Sequence, residues 1–179
     1  MKIGVISDSH DHMEHMARAL ARFRERGVTR ILHAGDIVCP ATILAMNGFE
    51  VAAVFGNNDG ERAGLMRTMT KIHGRLEGEF LELDAPGGMG RMALYHGTTS
   101  GLRDALIASG AYRLVVTGHT HRVVNERRGA TLVLNPGSLH GFGKRATAMI
   151  YDDDTHSAEL LELTPEPVCP FAELDGSRG

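Results

Sequence analysis

Residues 2–10 read KIGVISDSH, and residues 31–36 read ILHAGD. Lys2 to Ile6 is a short run rich in β-branched residues, the pattern of a buried strand, and it stops on a polar stretch that carries Asp8 and His10. Ile31 to Ala34 is a second such run, and it stops on Gly35 and Asp36. Three more apolar runs end in the same way. Val51 to Phe55 leads into Gly56, Asn57, Asn58 and Asp59; Met92 to Tyr95 leads into His96; Leu114 to Thr117 leads into Gly118, His119, Thr120 and His121. Each strand ends on Asp, Asn or His, mostly beside a glycine that lets the backbone turn sharply.

The segments between these runs set the fold class. Asp11 reads as a helix N-cap with Glu14 three positions on, Met13, Met16, Ala17, Leu20 and Phe23 recur at helical spacing, and Gly27 ends the helix. Pro40 opens a second, short helix that closes near Gly48. The resulting order, strand-helix-strand-helix-strand, implies parallel strands with helices packed on them. After Glu61 the character changes. Phe80 to Leu83 and Met92 to Tyr95 flank the turn-rich APGGMG as a hairpin, and Leu102 to Ser109 is a helix ended by Gly110. Val123 to Glu126, Leu132 to Leu134, Thr147 to Tyr151 and Glu159 to Leu163 are expected as antiparallel strands joined by tight turns. The fold class expected is α/β, two sheets packed as a sandwich with helices outside. One domain spans 1–163, and the tail 164–179, with Pro165, Pro167 and Pro170, is expected to pack poorly.

Composition narrows the function classes. A chain of 179 residues, 42% hydrophobic and 23% charged, suits one globular domain with a real core. A formal charge of −3 offers no general attraction to nucleic acid or anionic lipid, so phosphate binding has to be local and duplex nucleic acid is a poor substrate. No stretch approaches the ~20 apolar residues of a membrane span. The N-terminus turns polar too early for a signal peptide. Cys39 and Cys169 are far apart and form no metal-like pair, which fits a reducing, cytoplasmic setting.

In open α/β sheets the carboxyl ends of the strands line the binding crevice. One site is therefore expected from Asp8, His10, Asp36, Asn57, His96, His119 and His121. A lone Asp or His in a loop is ordinarily solvated, but this many donors on five strand ends is poorly explained by chance. Imidazole, carboxylate and amide donors without thiolates suit Mn²⁺, Fe²⁺, Zn²⁺, Co²⁺ or Ni²⁺. Seven ligands exceed the needs of one tetrahedral ion and suit two. A pair of ions about 3.5–4 Å apart needs an anionic bridge, for which Asp36 is the natural candidate. Asp8 and Asp36 would offset only part of the ions' charge, leaving a locally cationic pocket for a phosphate group. Such a pair lowers the pKa of a bridging water and steadies charge developing on phosphorus. The chemistry implied is phosphoester hydrolysis.

The ordered pattern D-x-H, GD, GNxD, HG, GHTH, with NPGS at Asn135 to Ser138, closely resembles the calcineurin-like metallophosphoesterases, most of all their small single-domain YfcE-type phosphodiesterase branch. The resemblance covers the chain from Asp8 to Ser138. It implies two mixed β-sheets flanked by helices, two divalent metal ions with Mn²⁺ favoured, and a small phosphodiester substrate. It also implies a division of ligands: Asp8, His10, Asp36 and His121 on one ion, and Asp36, Asn57, His96 and His119 on the other. Many phosphomonoesterases of that superfamily have GNH where this chain has Asn58, and HGH where it has Thr98. Asn58 can donate a hydrogen bond but is no proton donor near neutral pH, so esters with basic leaving groups should turn over poorly.

His12 is a candidate replacement acid, set against a plain role at the start of the helix. Asp59 either orients Asn58 or caps the next segment. Asn135 and Ser138 are expected to shape a loop near the site, His33 to be packed, and His15 and His156 to be solvated. The alternative to an enzyme is a non-catalytic metal-binding scaffold of the same fold, as in the retromer subunit that resembles this branch. Intact Asp8 and Asp36 favour the enzyme.

Overall fold

A computed structural model describes residues 1–142 and 144–163. The expectation for the tail 164–179 lies outside the described residues. The first sheet is built on β1 (Lys2–Ile6), β2 (Arg30–His33) and β3 (Glu50–Val54), which run parallel. α1 (Met13–Glu25) and α2 (Pro40–Ala45) are the crossovers between them. In β1 and β3 every residue after the first is buried, as expected for strands covered on both faces.

β6 (Arg91–Tyr95) and β7 (Leu114–Val116) form the heart of the second sheet, again parallel, with α4 (Ser100–Ala108) between them in sequence. β5 (Phe80–Asp84) pairs antiparallel with β6 as the expected hairpin. Each sheet also contains both strand directions, so both are mixed.

The sheets pack face to face through Ile3, Val5, Leu32 and Val54 of the first and Met92, Leu94, Leu114, Val116 and Leu134 of the second. A separate apolar layer fills the space between the first sheet and its helices, with Met16, Leu20, Phe23, Ile31, Ile43, Val51 and Leu65 at its centre. The α/β sandwich expectation is met.

Four local expectations are corrected. The helix begins at Met13 and is capped by His12, whose ring accepts the His15 N–H; Asp11 is outside it and accepts a hydrogen bond from the Thr42 hydroxyl. Its buried face is His15, Met16, Ala19, Leu20 and Phe23, so Met13 and Ala17 face outward. A further helix, α3 (Arg62–Lys71), and a short strand, β4 (Arg75–Glu77), follow Glu61 where no element was expected.

The last four strands do not form one antiparallel run. β8 (Val123–Arg128) and β9 (Thr131–Pro136) pair with each other in the second sheet, where β9 also lies parallel to β7. β10 (Thr147–Asp152) and β11 (Ser157–Glu162) cross back to the first sheet, β10 lying antiparallel to β1. The sheet orders are therefore β11-β10-β1-β2-β3-β4 and β5-β6-β7-β9-β8.

Candidate metal centre

The carboxyl ends of β1, β2 and β3 in one sheet meet those of β6 and β7 in the other, and the polar residues that follow them converge. His121 Nε2 lies 3.2 Å from Asp8 Oδ1, and His10 Nε2 lies 3.3 Å from Asp36 Oδ2. His96 Nε2 lies 3.6 Å from Asp36 Oδ1 and 3.1 Å from Asn57 Oδ1. Two sets of donors are compact enough to hold an ion, Asp8 with His10 and His121, and Asp8 with Asp36 and His96, their ligand atoms all within 4.8 Å of one another. His119 belongs to neither set; its ring stands 5.2 Å from that of His96, and its N–H donates to Asp8 Oδ2. Asp8 is common to both sets, while Asp36 turns one oxygen toward His10 and the other toward His96.

This convergence needs an unusual backbone. Asp8, His10, Asp36, His119 and His121 all have positive φ, between 40° and 64°. The left-handed region costs a residue with a Cβ of order 1–3 kcal/mol, so the surroundings must impose it. Two glycines allow the approach: a Cβ on Gly56 would overlap the Asp36 carboxylate, and one on Gly118 would overlap the Ser7 hydroxyl. The glycines of GNND and GHTH are thus needed for close packing between strand ends.

Backbone amides and short side chains hold the carboxylates. Asp59 is buried, and its carboxylate accepts from the N–H groups of Asp36, Val38 and Gly56 at 2.7–3.0 Å. It ties the loop after β2 to the loop after β3, a brace neither of its expected roles described. Asn58 donates to both oxygens of Asp36, through its N–H at 2.8 Å and its amide at 2.7 Å. Burial pulls the Asp36 carboxyl upward, but the His10 ring beside it at 3.3 Å and the hydrogen bonds from Asn58 outweigh it and hold it below the usual carboxylate range. Ser7 donates to Asp8 Oδ2 at 2.6 Å.

The donor set fits divalent ions. His96 is buried and its Nδ1 lies 2.6 Å from the Ala34 carbonyl, which can only accept. Nδ1 therefore carries a proton, and in the neutral tautomer the Nε2 lone pair faces Asn57 Oδ1 and Asp36 Oδ1. Among the described residues, His10 Nε2 is buried without a hydrogen-bond partner. Acceptors facing acceptors, next to an unpartnered imidazole nitrogen, are the arrangement a cation resolves.

A second group of histidines lies alongside. His12 stacks on His15 at 3.7 Å, and its ring is 5.1 Å from that of His140, which is 6.1 Å from that of His10. His15 is buried, with Nδ1 on the Leu139 carbonyl, contrary to the solvated placement expected for it. His156 is half-buried and bonds to the Tyr151 hydroxyl, a second correction. His33 is fully buried, as expected. Asn135 donates to the Gly118 carbonyl and Ser138 to the Asp8 carbonyl, so NPGS holds the loops that carry Asp8 and His119. Sequence reasoning missed Phe142, which stacks on His121 at 4.8 Å and meets His10 edge-on at 4.9 Å. Its only signal was a position four residues after Ser138.

The calcineurin-like phosphoesterase superfamily domain matches residues 1–156, and the chain belongs to that superfamily, a family of hydrolases. Among its relatives is the phosphodiesterase MJ0936 of Methanocaldococcus jannaschii, 32% identical over 148 residues, covering 79% of this chain and 86% of the relative. A solved archaeal phosphodiesterase superposes with a TM-score of 0.85 at 30% identity, over 91% of this chain and all of the other. The phosphoesterase YfcE from E. coli shares the fold, with a TM-score of 0.63 at 20% identity over 92% of this chain and all of YfcE. Among the described residues, no helix is long and apolar enough to cross a membrane.

Proposed function

We propose that this protein is a two-metal phosphodiesterase that hydrolyses a small phosphodiester. The observation that carries the reading is the meeting of Asp8, His10, Asp36, Asn57, His96 and His121 at five strand ends, with His10 Nε2 buried and unpartnered. Asp8, His10, Asp36 and His121 would hold one ion, and Asp36, Asn57, His96 and His119 the other. Mn²⁺ is the favoured ion, with Fe²⁺, Zn²⁺, Ni²⁺ and Co²⁺ compatible with the same donors. When bound, the two ions supply an activated water and stabilise the charge that develops on phosphorus.

The chain's own groups prepare that chemistry. Asn58 and Asp59 hold Asp36 in place, one at the carboxylate and the other at the backbone. The Ala34 carbonyl fixes the tautomer of a neutral His96 ring, leaving Nε2 as its lone-pair nitrogen. Asn58 can donate a hydrogen bond to a phosphoryl oxygen but no proton to a leaving group, so diesters with good leaving groups are favoured. The presence of both carboxylates, Asp8 and Asp36, supports hydrolysis over a scaffold role. The names of the related phosphodiesterases support the diester.

Hydrolysis of bis-p-nitrophenyl phosphate by metal-stripped protein, with and without added Mn²⁺, tests the reading. Mn²⁺-dependent release of p-nitrophenol is expected. Bound Mn²⁺ without turnover would sink it and leave the scaffold.

A further inference from the structure

His33 and Ser9 belong to no ligand set, yet both are fully buried directly behind it. The Gly35 N–H donates to His33 Nδ1 at 3.2 Å, and a backbone amide can only donate, so Nδ1 is the acceptor and the ring proton of the neutral form sits on Nε2. That nitrogen lies 3.0 Å from Ser9 Oγ, and the Ser9 hydroxyl in turn donates to the Asp36 carbonyl at 3.3 Å. The order of donors is therefore defined throughout: Gly35 N–H to His33, His33 Nε2–H to Ser9, Ser9 O–H to Asp36.

The relay crosses between two loops. Ser9 stands between Asp8 and His10 after β1, and His33 is the last residue of β2, three positions before Asp36. The same loops are also joined by Asp8 N–H to the Gly35 carbonyl at 3.0 Å and His10 N–H to the Asp36 carbonyl at 3.1 Å. Asp8, His10 and Asp36 all have positive φ, so neither loop rests in its intrinsically favoured conformation. A buried side-chain bond between them is a direct means of imposing that backbone.

We propose that His33 is a positioning residue for the metal centre, acting through Ser9 to lock the Asp8–His10 loop onto Asp36. The proposal rests on the two-metal reading, but its test reads metal affinity as well as turnover. Partners behind metal ligands typically change affinity by about 10–100-fold when removed.

The experiment measures Mn²⁺ binding by titration calorimetry on metal-stripped protein, for the wild type, His33→Leu, His33→Gln, Ser9→Ala and the double variant His33→Leu/Ser9→Ala. His33→Leu keeps the volume and is expected to weaken Mn²⁺ binding about 10–100-fold, with turnover recovering at saturating Mn²⁺. Ser9→Ala should weaken binding in the same direction, and the double variant should be little worse than His33→Leu alone, because both break one relay. His33→Gln, which can still donate to Ser9, should recover part of the loss. Should His33→Leu fail to fold, Ser9→Ala and His33→Gln decide the matter. Wild-type affinity in Ser9→Ala, or independent additive losses from the two sites, would overturn the proposal. A wild type that binds Mn²⁺ but hydrolyses no diester would defeat the proposed function and leave the affinity comparison to judge His33.

Discussion

Two groups of histidines lie side by side at one end of this molecule, their nearest rings, those of His10 and His140, 6.1 Å apart. They differ in what their nitrogens face. In the first, His10, His96 and His121 turn Nε2 toward carboxylates, and His10 Nε2 has no hydrogen-bond partner. In the second, His12 Nδ1 takes the His15 N–H, His15 Nδ1 meets the Leu139 carbonyl, and His140 Nδ1 takes the Phe142 N–H. Residue type and proximity are the same; the difference lies in whether Nε2 faces a carboxylate. Rings that turn Nε2 toward carboxylates suit a cation, even where the main chain holds Nδ1 as at His96, whereas those of the second group are held by the main chain through Nδ1.

The largest effect that could break this comparison is on the carboxylate shared between sides. Asp36→Asn keeps the shape but removes the charge, and it should lower Mn²⁺-dependent hydrolysis by at least ~100-fold, more than the loss of a group behind a ligand. Full activity in that variant, measured at saturating Mn²⁺, would remove Asp36 from the centre. His10→Ala should also lose Mn²⁺ affinity, read by calorimetry, while His12→Ala should not.

His33 sharpens the comparison because both its nitrogens are satisfied. Burial pushes it down from 6.5 to about 4, so the unfolded chain binds its proton first as the pH falls. Its contribution to stability is complete above pH 6.5 and is lost progressively between pH 6.5 and 4, a total of about 3 kcal/mol. Urea unfolding of metal-free protein at pH 7 and pH 4.5 should show this loss in the wild type and a shallower one in His33→Gln. Equal slopes in the two proteins would contradict it.

The smallest expected effect is at His12. Its ring caps α1, so His12→Ala should cost about 1 kcal/mol of stability in urea unfolding. It should leave the relative rates on diesters of good and poor leaving groups unchanged. A selective loss on the poor leaving group would instead make His12 the missing acid.

The sequence announced the strand ends because each couples a local signal, an apolar run, to a polar residue beside a glycine. What it could not announce depended on contacts distant along the chain. His15 looked exposed on a charged helix face, but the Leu139 carbonyl that covers it comes 124 residues later. β10 and β11 carry ordinary strand patterns, and only their pairing with β1 returns them to the first sheet. α3 was missed because Gly64 interrupts it and Glu61 provides no side-chain cap, which leaves the buried Leu65 and Met69 as its main signal. Asp59 stood out as a candidate because it follows the strand-end asparagines, but its three amide partners depend on how two strand-end loops meet. Asp and His are enriched at positive φ, but that bias is too weak to mark Asp8, His10 and Asp36 among the other Asp and His residues of the chain.

The most direct test of the account is to count ions. Metal-stripped protein titrated with Mn²⁺ and analysed by calorimetry and elemental analysis should bind two ions per chain, and Asp36→Asn should retain fewer under the same conditions. A wild type that takes up one ion or none at saturating Mn²⁺ would contradict a centre built from both ends of Asp36.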